Sequence, residues 1–207
     1  MKKWKQRLFS LLLCGAMLVS LCVPVEAVDE VDSGKFEVDG GTWEWVLDSD
    51  GRLTITPDPA LSSQPMPDFR PWGFPWYGVT DKINSVVVDP VNDGLVLSIG
   101  AYAFFDCTSL TEITLPDSVT SIGYAAFEDC TSLTEITLPG NLTTIGEGAF
   151  RGCANLTEIA LPDSLTTIEY GAFEHCASLR EVTLPDSLTR MGEYVFYKCT
   201  SLMEITL

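Results

Sequence analysis

Seven cysteines carry the most versatile chemistry in this chain of 207 residues. Five of them recur at a spacing of 23 residues: Cys107, Cys130, Cys153, Cys176 and Cys199. Such spacing suggests disulfides in an oxidising compartment, but an odd number of cysteines cannot pair completely. We therefore expect a column of buried free thiols, with one or two disulfides between neighbouring repeats as the alternative. Zinc is disfavoured because a row of stacked sulfurs does not form a tetrahedron.

Carboxylates form a second column with the same spacing. Its members are Glu112, Glu135, Glu158, Glu181 and Glu204. Two residues further on lies a threonine column, in which Ala160 replaces Thr once: Thr114, Thr137, Thr183 and Thr206. Alternation along a strand places both columns on the outer face of a sheet. This is either a solvated face that keeps the sheet soluble or a candidate binding face for a basic protein surface or Ca²⁺.

The composition excludes several functions. There are 29 acidic against 12 basic residues, a formal net charge of -17, which argues against binding nucleic acid or an anionic membrane. The single histidine, His175, shares its column with Asp106, Asp129, Gly152 and Lys198, so we expect an exposed, variable position. Stacked identical carboxylates lack the unlike environments that acid–base catalysis needs. No nucleophile, base and orienting group can be assembled, so we expect no enzyme, no cofactor and no metal.

Residues 1–27 are predicted to be a secretory signal peptide cleaved after Ala27. Four basic residues precede a mostly apolar stretch from Leu8 to Val25, and Val25-Glu26-Ala27 has the small-residue pattern of a cleavage site. A retained membrane anchor is the alternative. Loss of the four basic residues and Glu26 leaves 8 basic and 28 acidic residues, a net charge of -20. We expect a secreted or cell-surface protein with no membrane association after cleavage.

The 23-residue spacing extends to apolar columns and predicts a repeat solenoid. These columns are Phe104, Phe127, Phe150, Phe173 and Phe196; Leu110, Leu133, Leu156, Leu179 and Leu202; and Ile99, Ile122, Ile145, Ile168 and Met191. In one unit, Ile113 and Leu115 lie on a short strand that Pro116 ends, because proline has no N–H for a neighbouring strand. Val119 and Ile122 then point inward on the opposite side. The return from Gly123 to Cys130 is expected to be a short helix or 3₁₀ segment.

Three regions follow the signal peptide. Residues 28–82 are predicted to form a cap with a β-hairpin, in which Thr42–Leu47 and Arg52–Thr56 flank a turn at Asp48–Gly51. That turn resembles the start of a calcium loop but lacks its later ligands, which favours a tight turn. Residues 83–98 form a degenerate first repeat with a loop at 90–93, and residues 99–207 form five repeats, the last incomplete.

Tryptophans in the cap region offer one further kind of chemistry. Trp43, Trp45, Trp72 and Trp76 could stack on sugar rings. Aromatic residues in a cap more often fill its core, and we expect that role.

The repeat resembles the BspA-like type of leucine-rich repeat. The matching line is A-F-x-x-C-x-x-L-x-x-I-x-L-P-x-x-L-x-x-I, over roughly Ile99 to Leu207, and the run from Gly41 to Ile55 resembles the leader of such proteins. The prolines after each strand depart from the commoner leucine-rich repeat, which has an Asn or Cys ladder. The resemblance implies a bacterial secreted or cell-surface protein that binds a protein or another cell-surface ligand, often in adhesion. A structural spacer of the envelope or matrix is the alternative.

The last repeat predicts weak end-to-end self-association. Its apolar residues would pack on one side only: Phe196, Cys199, Leu202, Ile205 and Leu207. An open strand edge is a template for pairing. The acidic charge opposes this contact at low salt, so we expect it to strengthen with ionic strength.

Overall fold

The computed structural model describes residues 30–38, 41–58, 65–89 and 98–207. The predicted signal peptide, its cleavage site at Ala27 and the predicted loop at 90–93 lie outside these residues. Within them, parallel strands stack into a β-solenoid, preceded in the chain by an antiparallel hairpin. No helix in this part of the chain has the length and apolar character needed to cross a bilayer.

The hairpin predicted from the sequence is present. Strands β1 (Glu30–Val38), β2 (Gly41–Asp48) and β3 (Arg52–Pro57) pair antiparallel in that order. Alternate residues of β2 are buried, which sets its register. The carboxylate of Asp48 accepts the N–H groups of Asp50 and Arg52, both at 2.9 Å, and Gly51 has a φ of 79°. The segment Asp48–Gly51 is therefore a tight turn closed by its own aspartate.

The hairpin joins the coils through one continuous sheet. Strand β3 pairs in parallel with β4 (Ser85–Val88), and β4 pairs with β6 (Glu112–Thr114). A 3₁₀ helix, Tyr77–Lys82, precedes β4. Ile83, Val86 and Val88 are buried, as the degenerate repeat predicts. The first coil therefore has a hydrogen-bonded neighbour on its N-terminal side.

Each later coil contributes strands to two faces. On one side, five short strands pair in parallel: β5 (Ser98–Ile99), β7 (Ser121–Ile122), β8 (Thr144–Ile145), β10 (Thr167–Ile168) and β12 (Arg190–Met191). On the other side, β6 is followed by β9 (Glu158–Ala160), β11 (Glu181–Thr183) and β13 (Glu204–Thr206). Between β6 and β9, residues 135–137 contribute only an isolated bridge between Thr137 and Ala160. The glutamate-bearing sheet is thus interrupted at one coil.

The return segment of each coil differs from the predicted helical turn. Hydrogen bonds there alternate between the coil itself and the next coil. Glu128 N–H donates to the carbonyl of Ala125 at 3.3 Å, whereas Phe127 N–H donates to Ala149 of the next coil at 2.8 Å. Ala125 and Asp129 adopt positive φ values of 50° and 60°, which turns every second N–H along the stack. A helix cannot form because half of its donors point to another coil.

Phenylalanine rings stack through the centre of the solenoid. The ring centroids of Phe104, Phe127, Phe150 and Phe173 follow one another at 5.2, 5.3 and 5.4 Å, with interplanar angles of 14°, 5° and 1°. Trp76 continues the stack on Phe104 at 5.8 Å, and its indole N–H donates to the carbonyl of Ala103 at 2.9 Å. The residues before the first coil therefore cover its aromatic core.

The cysteine column lies beside these rings as free, buried thiols. Each of the last four thiols donates to the carbonyl of the phenylalanine 26 residues earlier, at 3.1–3.2 Å, as Cys153 does to Phe127. Burial raises the pKa of all five thiols, and that of Cys199 rises only to about 11 because it lies nearest the surface. The cysteines thus act as small hydrophobes that link neighbouring coils.

Replacement of Phe150 with Ala is expected to lower the free energy of unfolding by about 3–5 kcal/mol, because rings on both sides lose a packing partner. Phe196→Ala is the matched control, since the described residues pack a ring of the same column on one side of it only. It should cost less. Chemical denaturation followed by circular dichroism measures both, and a Phe150→Ala loss below about 1 kcal/mol contradicts the core role of this column.

The native thiols should resist alkylation. Because thiolate is the reactive form, the raised pKa values predict little labelling by iodoacetamide at pH 8. Cys199 should react first, and the other four should react only after unfolding in guanidinium chloride. Peptide mapping by mass spectrometry identifies each site. Rapid native labelling of Cys153 would show that the column opens to solvent.

Candidate functional site

The two polar columns predicted from the sequence lie together on the outer side of β6, β9, β11, β13 and residues 135–137, which we name the strand face. All five glutamates and all four threonines of the columns are exposed. The register places Glu158, Glu181 and Glu204 side by side on adjacent strands. Thr206 donates through its hydroxyl to the hydroxyl of Thr183 at 3.0 Å. The solenoid therefore presents a row of carboxylates beside a row of hydroxyls that is broken at Ala160.

The strand face contains a groove with a volume of about 550 Å³. Three column glutamates, Glu135, Glu158 and Glu181, lie along it, and Leu138 and Leu161 supply apolar lining. Ala160 lies in the groove at the point where the threonine column is broken, so a methyl group stands where other coils carry a larger polar side chain. The groove thus combines acidic groups with an apolar wall.

The groove was not predicted from the sequence. Two departures from the repeat mark it: Ala160 in the threonine column, and Gly140 where other coils have Asp after the proline. Residues 135–137, which precede Gly140, also lack regular strand pairing. These signals are visible in the alignment of the repeats with one another, but the depth of a groove depends on side-chain packing between coils.

The carboxylates of the strand face form no ion pair with the cations that the structure describes, although Arg180 directly precedes Glu181 in the chain. An ammonium or guanidinium group on an aliphatic stem fits such a surface, because its charge can meet the carboxylates while its stem lies on the apolar wall. The residues that the structure describes contain no cluster of three or more His, Cys, Asp or Glu side chains arranged for a metal.

The remaining candidate residues are separated from this surface. Trp43, Trp45 and Trp76 are buried in the core, whereas Trp72 is 60% exposed. His175 is exposed, with its Nε2 3.6 Å from a carboxylate oxygen of Glu174. The prediction that the tryptophans fill the core of the cap is therefore confirmed for three of them and wrong for Trp72.

A charged triad lies on the turn segments of the middle coils. The guanidinium of Arg151 lies between two carboxylates, 3.3 Å from Glu128 and 3.2 Å from Glu174. Burial disfavours its charge, but Glu128 and Glu174 outweigh burial, and the pKa of Arg151 rises. Burial raises the pKa of Glu128, and Arg151 opposes that shift. The triad is a fixed, half-buried polar group in the outer surface.

The chain matches the family model of the BspA type Leucine rich repeat region, with 6 copies over residues 84–207. No curated protein matches the chain. The matched region begins at residue 84 and so includes β4 (Ser85–Val88).

Solved structures of bacterial repeat proteins are similar to the chain. A leucine-rich repeat protein of T. pallidum is 31% identical, with a TM-score of 0.59, over 84% of this chain and 72% of that one. A leucine-rich repeat protein of Eubacterium ventriosum is also 31% identical, with a TM-score of 0.69, over 84% of this chain. A leucine rich cell surface protein of Faecalibacterium prausnitzii is 26% identical, with a TM-score of 0.54, over 84% of this chain.

The chain spans 44% of the E. ventriosum protein and 55% of the F. prausnitzii protein. The match to the family model covers more than half of the chain, and its columns of Phe, Cys, Leu and Ile occupy the core as the repeat requires. The chain belongs to the family of BspA-type leucine-rich repeat proteins.

Proposed function

We propose that the chain is an exported, surface-associated, non-enzymatic protein that binds a basic surface of another protein through its strand face. The observation that carries this proposal is the row of five exposed glutamates, none of which forms an ion pair with a described residue and three of which border the groove around Ala160.

The electrostatics of the strand face favour a cationic partner. Carboxylates about 5 Å apart repel by roughly 0.8 kcal/mol per pair in water, and less with salt. The free protein carries this repulsion along the whole row, and a partner with Lys or Arg side chains relieves it. The acidic field also accelerates encounter with such a partner.

The groove adds selectivity to this attraction. A flat acidic face attracts any cation. A groove with apolar residues on one side binds a long basic side chain more tightly, because the aliphatic stem packs on the apolar residues. Leu138 is buried and Leu161 partly buried, so the apolar wall is continuous with the core of the solenoid. We infer that an Arg or Lys from the partner enters beside Ala160.

Export and surface association rest on two supports. The first is the pattern of residues 1–27, which is typical of a signal peptide. The second is the similarity to a protein named as a leucine rich cell surface protein. An adhesin role is consistent with both.

Removal of the glutamate charges tests the proposal. The triple variant Glu135→Gln, Glu158→Gln and Glu181→Gln should lose binding to its partner, while its stability stays equal or rises slightly because repulsion is removed. The measurement is a pull-down from purified serum and extracellular-matrix proteins, followed by biolayer interferometry of the captured protein at several salt concentrations. Affinity of the unmodified chain should fall as salt rises.

The matched control removes the same charge elsewhere. Asp117→Asn, Asp163→Asn and Asp186→Asn alter three exposed turn residues outside the strand face. This variant should bind like the unmodified chain. Equal loss in both variants would reduce the effect to net charge, and no binding by the unmodified chain would favour the spacer role.

The groove has a separate test. Ala160→Thr restores the threonine column and fills the groove, so affinity should fall by about tenfold through loss of one side-chain contact, on the order of 1.4 kcal/mol. Thr114→Ala, on the same face but outside the groove, should leave affinity unchanged. Unaltered binding by Ala160→Thr would show that the partner contacts the glutamate row alone.

A further inference from the structure

A second surface of the solenoid gathers exposed and partly buried aromatic rings. We name it the turn face: the outer side of the return segments, together with Trp72. Ring centroids connect Trp72 to Phe105 at 6.0 Å, Phe105 to Tyr102 at 5.8 Å and Tyr102 to Tyr124 at 5.1 Å. Further along the stack, Tyr170 contacts Tyr194 at 5.4 Å. Two aromatic groups therefore flank the middle coil.

The composition of the turn face departs from the repeat. The strand face carries the same two residue types in nearly every coil, whereas the column after the core phenylalanine reads Phe105, Glu128, Arg151, Glu174 and Tyr197. Two residues before the core phenylalanine, the backbone has a positive φ in every coil, and this column reads Tyr102, Ala125, Gly148, Gly171 and Tyr194. Both columns have aromatic residues at their ends and small or charged residues between them. Repetition alone does not produce this pattern.

Some of these rings are held at a conformational cost. Trp72, Tyr102 and Tyr194 have φ values of 58°, 57° and 61°. Left-handed backbone disfavours bulky residues by roughly 1–2 kcal/mol each, and the equivalent column uses glycine at two other coils. The stack imposes positive φ at the equivalent position of other coils, as at Ala125, so the feature particular to Tyr194 is the large, 51% exposed ring that it carries there.

Arg151 lies in the return segment between the two aromatic groups. A Cβ at Gly148 would lie 3.0 Å from the guanidinium carbon of Arg151, and a Cβ at Gly171 would lie 3.2 Å from its Nη2. The two glycines therefore make room for the guanidinium, which Glu128 and Glu174 fix in place. The planar guanidinium and carboxylate groups, held by these ion pairs, therefore lie between the two groups of aromatic rings.

We propose that the turn face binds a neutral carbohydrate chain. The negative π face of an aromatic ring attracts the partially positive C–H groups of a pyranose. Arg151 and its two glutamates offer donors and acceptors for sugar hydroxyls. Tyr124 and Tyr170 are 39% and 42% exposed and lie two coils apart, at a coil spacing of 5.3–5.4 Å in the phenylalanine stack. Rings along the axis suit an extended polymer.

The chemistry of the turn face favours a glycan over a protein. At Trp72 and in the described return segments, every exposed large hydrophobic side chain is aromatic, whereas the centre of a protein interface also recruits aliphatic residues. Glu128 and Glu147 interact electrostatically with Tyr102, and carboxylates at this surface repel anionic polysaccharides. The ligand is therefore a neutral glycan rather than an acidic one.

Affinity electrophoresis and titration calorimetry of the chain test this site. The probes are cellohexaose, mannohexaose and N-acetylchitohexaose as neutral chains, with hyaluronan as the anionic chain. We expect binding of at least one neutral probe and none of hyaluronan. A change in tryptophan fluorescence should accompany it, because Trp72 is exposed. Failure of all three neutral probes, or binding of hyaluronan alone, overturns the proposal.

Variants separate stacking from folding. Tyr124→Ala with Tyr170→Ala should weaken binding of the neutral probe at least tenfold, whereas Tyr170→Phe keeps the ring and should bind within about twofold. The strand-face triple Gln variant should bind the glycan normally, which distinguishes this site from the proposed protein site. Equal thermal unfolding confirms that the variants fold. Unchanged glycan binding in the double Ala variant, or an effect of that variant on protein capture alone, also overturns the proposal.

Discussion

A single coil of this solenoid cannot satisfy the N–H groups of its own return segment. In the second coil, Ala125, Phe127 and Asp129 donate to carbonyls of the third, and the third coil repeats the pattern with the fourth. An unpaired buried N–H costs free energy comparable to a lost hydrogen bond, so each coil folds correctly only in register with its neighbour. That register makes the stacked phenylalanine rings nearly parallel, with a 1° angle between Phe150 and Phe173, and it aligns every outward column. Both candidate binding surfaces follow from it.

Much of the fold could be predicted because its signal is periodic. Apolar columns whose members recur every 23 residues identify the core, and strand alternation places Glu158 and Thr183 on the outer face. The hairpin was readable from its Asp-Ser-Asp-Gly turn. The left-handed turns were not, because Tyr102 and His175 carry no sequence mark of positive φ, and only the hydrogen bonds of the stack impose it. The glutamate and threonine columns were predicted, but the groove and the turn face were not, because both lie where the repeat is broken, as at Ala160 and Arg151.

The two outer surfaces differ in how they use the repeat. The strand face repeats one residue type, which gives a long, uniform acidic field suited to steering a basic partner. The turn face varies from coil to coil, which gives discrete positions with fixed side chains. Arg151 illustrates the difference, since it needs glycine in its own coil and the next, and a glutamate on either side. A rigid stack can therefore present a nonspecific attraction on one side and a defined geometry on the other.

The sequence has the pattern of a signal peptide, and exported proteins often carry disulfides, yet the cysteine column consists of free thiols. The packing of these thiols explains why the core tolerates them. A serine in place of Cys153 could donate to the carbonyl of Phe127, but its hydroxyl would lose more hydration on burial. Alanine would avoid that cost and lose the donor. The thiol fills the space as a hydrophobe and still donates at 3.2 Å. A disulfide between coils would remove two such donors, and burial keeps the thiolate, the species that oxidants attack, scarce. The same packing that builds the solenoid thus keeps its cysteines reduced.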